Sequence, residues 1–358
     1  MSTICINGTP WRGKPLCPVP GGLLAGRLGA LVVYRPGEKA PAARYPLPMP
    51  RWKRAFSQVR LTERLLHTDV RWAVPLRDHT VLLCADRIFR LDLKTGRTEP
   101  EDVPVRGKPL SALVLPREGA DEPDVFVGDY HSNPDRQPVR IFRRSGADGM
   151  WSQVWAFPAG AVRHIHNLVW DPYRERICIL TGDEDRESGI WTADRFFSYV
   201  TPLFTGSQAA RSCQLLPAED ALYYLTDAPS ETNRLFRLSQ NDPEPVTEIN
   251  GSVIYALGWN DGLLFSTTVE PDAHASNPLS YRLTNRIGRG IRDDTVHICF
   301  LSREGTVTEL ETYRHDRLPF RLFQYGAASF CEDGQGGAYF SPCCVKHYDQ
   351  VIRRVSIE

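Results

Sequence analysis

Ile177-Cys178-Ile179-Leu180-Thr181-Gly182-Asp183 is an apolar run closed by an acid, and the chain repeats this design four more times. Val81-Leu82-Leu83-Cys84-Ala85 ends at Asp86, and Val125-Phe126-Val127-Gly128 ends at Asp129. Ala221-Leu222-Tyr223-Tyr224-Leu225-Thr226 ends at Asp227, and the run from Leu263 to Val269 ends at Glu270. Successive acids lie 43, 54, 44 and 43 residues apart. A short apolar run bounded by turn residues reads as a buried strand. Each is followed by a run mixing arginine with apolar residues: Arg87-Ile88-Phe89-Arg90-Leu91, Val139-Arg140-Ile141-Phe142-Arg143 and Arg234-Leu235-Phe236-Arg237-Leu238.

A period of 40–50 residues holding three or four strands is that of a β-propeller blade. Five such units are legible, and a sixth runs from about Phe320 through Ala338-Tyr339-Phe340-Ser341 to the C-terminus. Strands around Leu23 to Pro48 either form a further blade or complete the last one, and strands from both termini joining in one blade would remove exposed sheet edges. The expectation is an all-β chain: a single propeller over 21–358, of seven four-stranded antiparallel blades with six as the alternative, after an irregular arm over residues 1–20. No amphipathic pattern outlasts two helical turns, and Arg51-Trp52-Lys53-Arg54 reads as a solvated loop.

Composition narrows the function. Of 358 residues, 42% are apolar and 24% charged, ordinary for a chain that buries a core. Lys+Arg and Asp+Glu are equal at 43, without the basic excess of a nucleic-acid binder. No run approaches the ~20 apolar residues of a membrane helix, and the first residues lack a secretory pattern, so no membrane insertion is expected. Nine cysteines, odd in number and with no C-x-x-C pair, fit reduced thiols and a cytoplasmic setting better than disulfides or a structural zinc site.

Ser145-Gly146-Ala147-Asp148-Gly149-Met150-Trp151 resembles, one residue out of register, the Asp-box turn between outer strands of sialidase-type propellers. With it, the stretch from Gly128 to Glu270 resembles bacterial BNR-repeat, sialidase-like proteins. That resemblance implies a propeller fold and a carbohydrate context, and no particular reaction.

The chemistry is expected around Arg163-His164-Ile165-His166. Alternation along a strand puts both imidazoles on one face. In a propeller they would enter the channel mouth from the blade that supplies Asp183. Tyr130, His131 and Asn133 would come from the blade before; Gln208, Arg211, Asp227, Glu231 and Asn233 from the next; Glu270 and His274 from the one after; and Tyr325 from the last. Each has a structural reading too, since an acid ending a strand often caps a turn and a lone histidine is usually a satisfied core residue.

Three chemistries fit. A histidine acting as acid or base beside an arginine on a uronate carboxylate suits β-elimination from an acidic sugar or glycan. Here His164, His166, Asp183 and Tyr130 would be catalytic. Arg163, Arg211, Gln208, Asp227, Asn233, Glu270 and Tyr325 would bind substrate. Paired acids such as Asp183 with Asp227 would suit hydrolysis, a sialidase needing a third arginine that has no candidate. A divalent Mn, Zn or Fe ion held by His164 and His166 with His131 or Asp183 is the third. The rival class is a non-catalytic platform for a glycan or protein.

Overall fold

The computed structural model describes residues 3–271 and 283–358, so His274 lies outside the described residues. The apolar runs become the second strands of four-stranded antiparallel sheets, each sheet a meander. Strands β2–β5 span Lys14–Val19, Gly22–Arg27, Ala30–Tyr34 and Ala43–Pro46. Next, β6–β9 span Trp72–Arg77, Thr80–Cys84, Ile88–Asp92 and Thr98–Pro100. The sheet β10–β13 spans Leu113–Leu115, Asp124–Gly128, Val139–Arg144 and Trp151–Phe157. The sheet β14–β17 spans His164–Asp171, Arg176–Gly182, Gly189–Ala193 and Val200–Thr205. After it, β18–β21 span Ser212–Pro217, Leu222–Thr226, Arg234–Ser239 and Asp242–Glu248. Then β22–β25 span Val253–Trp259, Gly262–Thr267, Thr295–Leu301 and Val307–Arg314. The last sheet holds β26–β28 (Ala327–Glu332, Ala338–Cys343, Val351–Ile357) and takes β1 (Ile4–Arg12) as its outer strand, with Ile4 opposite Ile357.

Seven blades of this kind define a β-propeller. The alternative of six fails because the N-terminal strands serve both roles weighed for them: β2–β5 make a blade, and β1 completes the last. Among the described residues, 3–20 are therefore no irregular arm. The β1 ladder to β28 supplies the backbone partners that such a segment needs. Arg51-Trp52-Lys53-Arg54 is no loop either; it opens a short helix, α1 (Arg51–Phe56), followed by α2 (Arg60–Leu66). A third, α3, spans Phe320–Phe323.

The chain divides into two compact units, one of Met1–Asp69, Pro229–Asn233 and Glu248–Glu358, the other of Val70–Ala228 and Arg234–Thr247. Within the second unit, apolar side chains pack between adjacent sheets. Cys178, Leu180 and Ile190 meet Leu215, Leu222 and Tyr224, while Ile177, Ile179 and Ile165 join Phe126 and Ile141. Strand β15 thus buries both faces, which is why its sequence is a continuous apolar run and not an alternation. The Asp-box-like segment is the turn from β12 to β13. Gly149 donates its N–H to the Ser145 carbonyl, and Met150 donates its own to Asp148 Oδ1 at 2.9 Å.

Candidate functional site

A register shift at the start of β14 builds the site. Ile165 faces Thr181 and Asn167 faces Leu180, so His166 is the extra residue of a β-bulge. Strands β2, β18 and β22 bulge at the same end, with Leu16, Cys213 and Ile254 as the extra residues. The bulge is thus a recurrent device of first strands here, and on β14 it carries an imidazole.

The two imidazoles converge tip to tip. His164 Nδ1 lies 3.0 Å from the His131 carbonyl, and His166 Nδ1 lies 3.0 Å from the Ser212 carbonyl. A carbonyl only accepts, so both Nδ1 atoms carry hydrogen and, in the neutral rings, both Nε2 atoms are bare lone pairs. Those lone pairs are 3.0 Å apart, and each faces Asp183 Oδ1, at 3.4 Å from His164 and 3.3 Å from His166. Three acceptors turned on one point, with the rings only 5% and 2% exposed, require a cation or a proton between them.

The electrostatics couple the three groups to one another. Burial pushes the His164 pKa down, ahead of the pull upward from Asp183. Burial pushes Asp183 up, but hydrogen bonds and charge from His164 and His166 outweigh it and hold the carboxyl well below the usual range. The carboxyl is held down by positive charge shared at the imidazoles, so the three groups form one coupled cluster that a shared proton or a bound cation would satisfy. A metal with ligands at ~2.0–2.1 Å in tetrahedral geometry separates them by about 3.3 Å, and the observed spacings of 3.0, 3.3 and 3.4 Å match that triangle. Two imidazoles and a carboxylate suit Zn, Mn or Fe.

Cations and donors surround the triad. Arg163 pairs with Asp183 Oδ2 at 3.1 Å and donates from Nε to the Ser132 carbonyl. Arg211 reaches the Asp183 carbonyl at 3.1 Å and carboxylate at 3.4 Å, and lies 3.5 Å from Asp227. Gln208 donates to the Asp183 carbonyl at 2.9 Å and to Asp185 at 3.0 Å. The Tyr130 ring lies 4.5 Å from that of His164, and burial pushes its phenol pKa up, so it stays a donor. Gly182 makes room for all this: a Cβ there would sit 2.7 Å from His166 Cε1. Gly182→Ala should push the buried His166 ring off the triad at an overpacking cost of about 1–3 kcal/mol, as a lowered unfolding midpoint would show.

Thus His164, His166, Asp183, Tyr130, Arg163, Arg211, Gln208 and Asp227 come together in one unit. Three expectations change. The His131 ring stands outside the triad: its carbonyl meets His164, its Nδ1 accepts from the Asn133 N–H at 3.2 Å, and Asp183 is the third group that converges with the two imidazoles. Asn133 is buried and bridges the Gln137 and Arg163 carbonyls. Asn233, Glu270 and Tyr325 belong to the other unit, with structural contacts. Asn233 is buried and donates to the Gly290 carbonyl at 3.0 Å, Glu270 accepts from Thr268 at 3.0 Å, and Tyr325 packs on an apolar cluster. The recurring acids also diverge, since Asp129 is buried and clamped by Arg140 at 2.9 Å.

Cys213 is the residue that the sequence reading missed. Its thiol donates to Asp227 Oδ2 at 3.5 Å, and burial, then Asp227, raises its pKa far above the ordinary value. With His166 and Asp227, Cys213 forms a second cluster of possible ligand atoms that shares His166 with the triad. Its adjacency to Arg211-Ser212 was the available signal.

Fold and site together define a β-propeller that concentrates two imidazoles, a carboxylate and two arginines at the start of two neighbouring first strands. No family model matches the chain, and no curated protein matches it. Among solved structures it is similar to the β-propeller domain of Cps50 (Swd1) from Myceliophteria thermophila, with TM-score 0.53, 10% identity and 99% of each chain covered. It is also similar to BamB from Moraxella catarrhalis, with TM-score 0.45, 12% identity and 99% of each chain covered. The likeness to the Cps50 domain is one of fold.

Proposed function

We propose that this propeller is a divalent-metal-dependent, carbohydrate-active enzyme whose substrate is an acidic sugar or glycan, with β-elimination its reaction. The observation that carries the reading is the triangle of His164 Nε2, His166 Nε2 and Asp183 Oδ1, whose two Nδ1 atoms are already committed to carbonyls. A bound cation with Arg163 and Arg211 beside it would offset the charge of a uronate carboxylate. That neutralisation would make the adjacent C–H acidic enough to lose its proton to a water molecule, while the Tyr130 phenol, held as a donor, would protonate the departing glycosidic oxygen. Arginine suits the task because its planar fork matches a carboxylate. Hydrolysis by a carboxyl pair needs one protonated and one ionised carboxyl, and Asp183 would fill only the ionised role. The Asp-box-like turn adds a carbohydrate context by resemblance.

A second reading, a binding propeller without turnover, draws on one observation: both arginines already contact Asp183. The test is incubation of metal-loaded protein with uronate-containing glycans, followed by the ultraviolet absorbance of the unsaturated product. The expected result is absorbance that disappears with a chelator and in His166→Ala. Metal-loaded protein that binds a uronate glycan and leaves it uncut would establish the binding reading instead.

A further inference from the structure

The helical hairpin of α1 and α2 is built inside out. Its polar residues face inward: Ser57 is buried and its hydroxyl meets the Lys53 carbonyl and Thr68, Arg64 is buried and bound to Asp316 and the Phe323 carbonyl, and Glu63 is buried against Arg60. Its apolar residues face outward, with Trp52, Phe56, Val59, Leu61 and Leu65 between 43% and 60% exposed. A helix that only completes a core shows the opposite pattern, and contiguous exposed apolar groups of this size mark an interaction surface.

The charge around this surface has one sign. Arg51, Lys53 and Arg54 lie on α1, and Glu63, the one acid between Pro50 and His67, is buried. Beside the hairpin opens a cavity of about 850 Å³ lined by Arg12, Arg27, Arg60, Lys346, His347 and Asp349. Asp349 is its single carboxylate, and Arg60 and the Cys344 N–H already occupy it. Hairpin and cavity are contiguous: Arg60 opens α2 and lines the cavity, while Leu28 lines the cavity and accepts from Gln58 in the α1–α2 turn at 3.0 Å.

We propose that this face docks on an anionic phospholipid surface, with the apolar side chains in the headgroup–acyl boundary and a lipid phosphate in the basic cavity. Aromatic and aliphatic side chains flanked by lysine and arginine are what such an interface takes up. A second copy of this chain fits poorly, because a two-fold contact would set Arg51, Lys53 and Arg54 against themselves.

Co-sedimentation of the full chain with vesicles tests this. Binding is expected to vesicles of phosphatidylcholine with a phosphatidylinositol phosphate, at least tenfold stronger than to phosphatidylcholine alone, and weakened by salt. It should fall tenfold or more in W52S/F56S, whose side chains are already exposed, and in R12Q/K346Q. Three results would overturn it: no binding to either vesicle, soluble inositol trisphosphate bound by the cavity while vesicles are ignored, or a dimer that W52S/F56S dissolves.

Discussion

Asp183→Asn should abolish metal binding, lowering affinity for Zn or Mn by ~100-fold or more, since even losing a partner outside the ligand set costs 10–100-fold. The substitution keeps the shape of the side chain and removes the charge that balances a cation between two imidazoles. Metal should raise the thermal midpoint of the parent protein, because a ligand at a hundred times its dissociation constant stabilises the folded state by about 2.7 kcal/mol. The variant's midpoint should stay put over the same titration. If parent and variant respond alike, the metal is bound elsewhere.

Arg144→Ala should be the most damaging single change outside the site. Arg144 is fully buried and donates to Glu122 at 2.7 Å and to Glu101 at 3.3 Å, the latter also accepting from Trp151 Nε1 at 2.7 Å. A Cβ on Gly149, in the Asp-box-like turn, would sit 2.9 Å from Arg144 Nη2, so guanidinium and turn are packed together. Removing the cation leaves Glu122 to Arg77 at 3.3 Å, and Glu101 to Trp151 and to Arg90 at 3.8 Å, so the loss should fall at the low end of the about 3–5 kcal/mol that breaking a buried pair costs. Chemical denaturation should show that loss, and Arg144→Lys should recover part of it, because an ammonium lacks the fork that spans both carboxylates. A loss under about 1 kcal/mol would mean that water replaces the guanidinium.

The strands that announced the fold are the ones packed on both faces. β15 and β19 bury almost every residue and read as apolar runs, whereas β21 is almost wholly exposed and its sequence, Asp-Pro-Glu-Pro-Val-Thr-Glu, gives no strand signal. The first twenty residues were misread for a related reason: β1 is an outer strand of half-exposed residues, and its pairing with β28 spans the length of the chain. The α1–α2 hairpin was illegible because amphipathic reading expects apolar residues inward, and here they face out.

At the site, His164 and His166 were legible as a pair on one strand, and Asp183 as the acid closing the next. The bulge that aims them was not, because it depends on register with β15. Arg163 and Arg211 were read either as partners of the recurring acids or as a clamp for a ligand anion, and both contact Asp183.

The most direct test of the metal-site account is a crystal structure of metal-loaded protein with data collected at the metal absorption edge. The account predicts an anomalous peak about 2.0–2.2 Å from His164 Nε2, His166 Nε2 and an Asp183 carboxylate oxygen. A map with no peak there, the two imidazoles still tip to tip and sharing a proton, would contradict it.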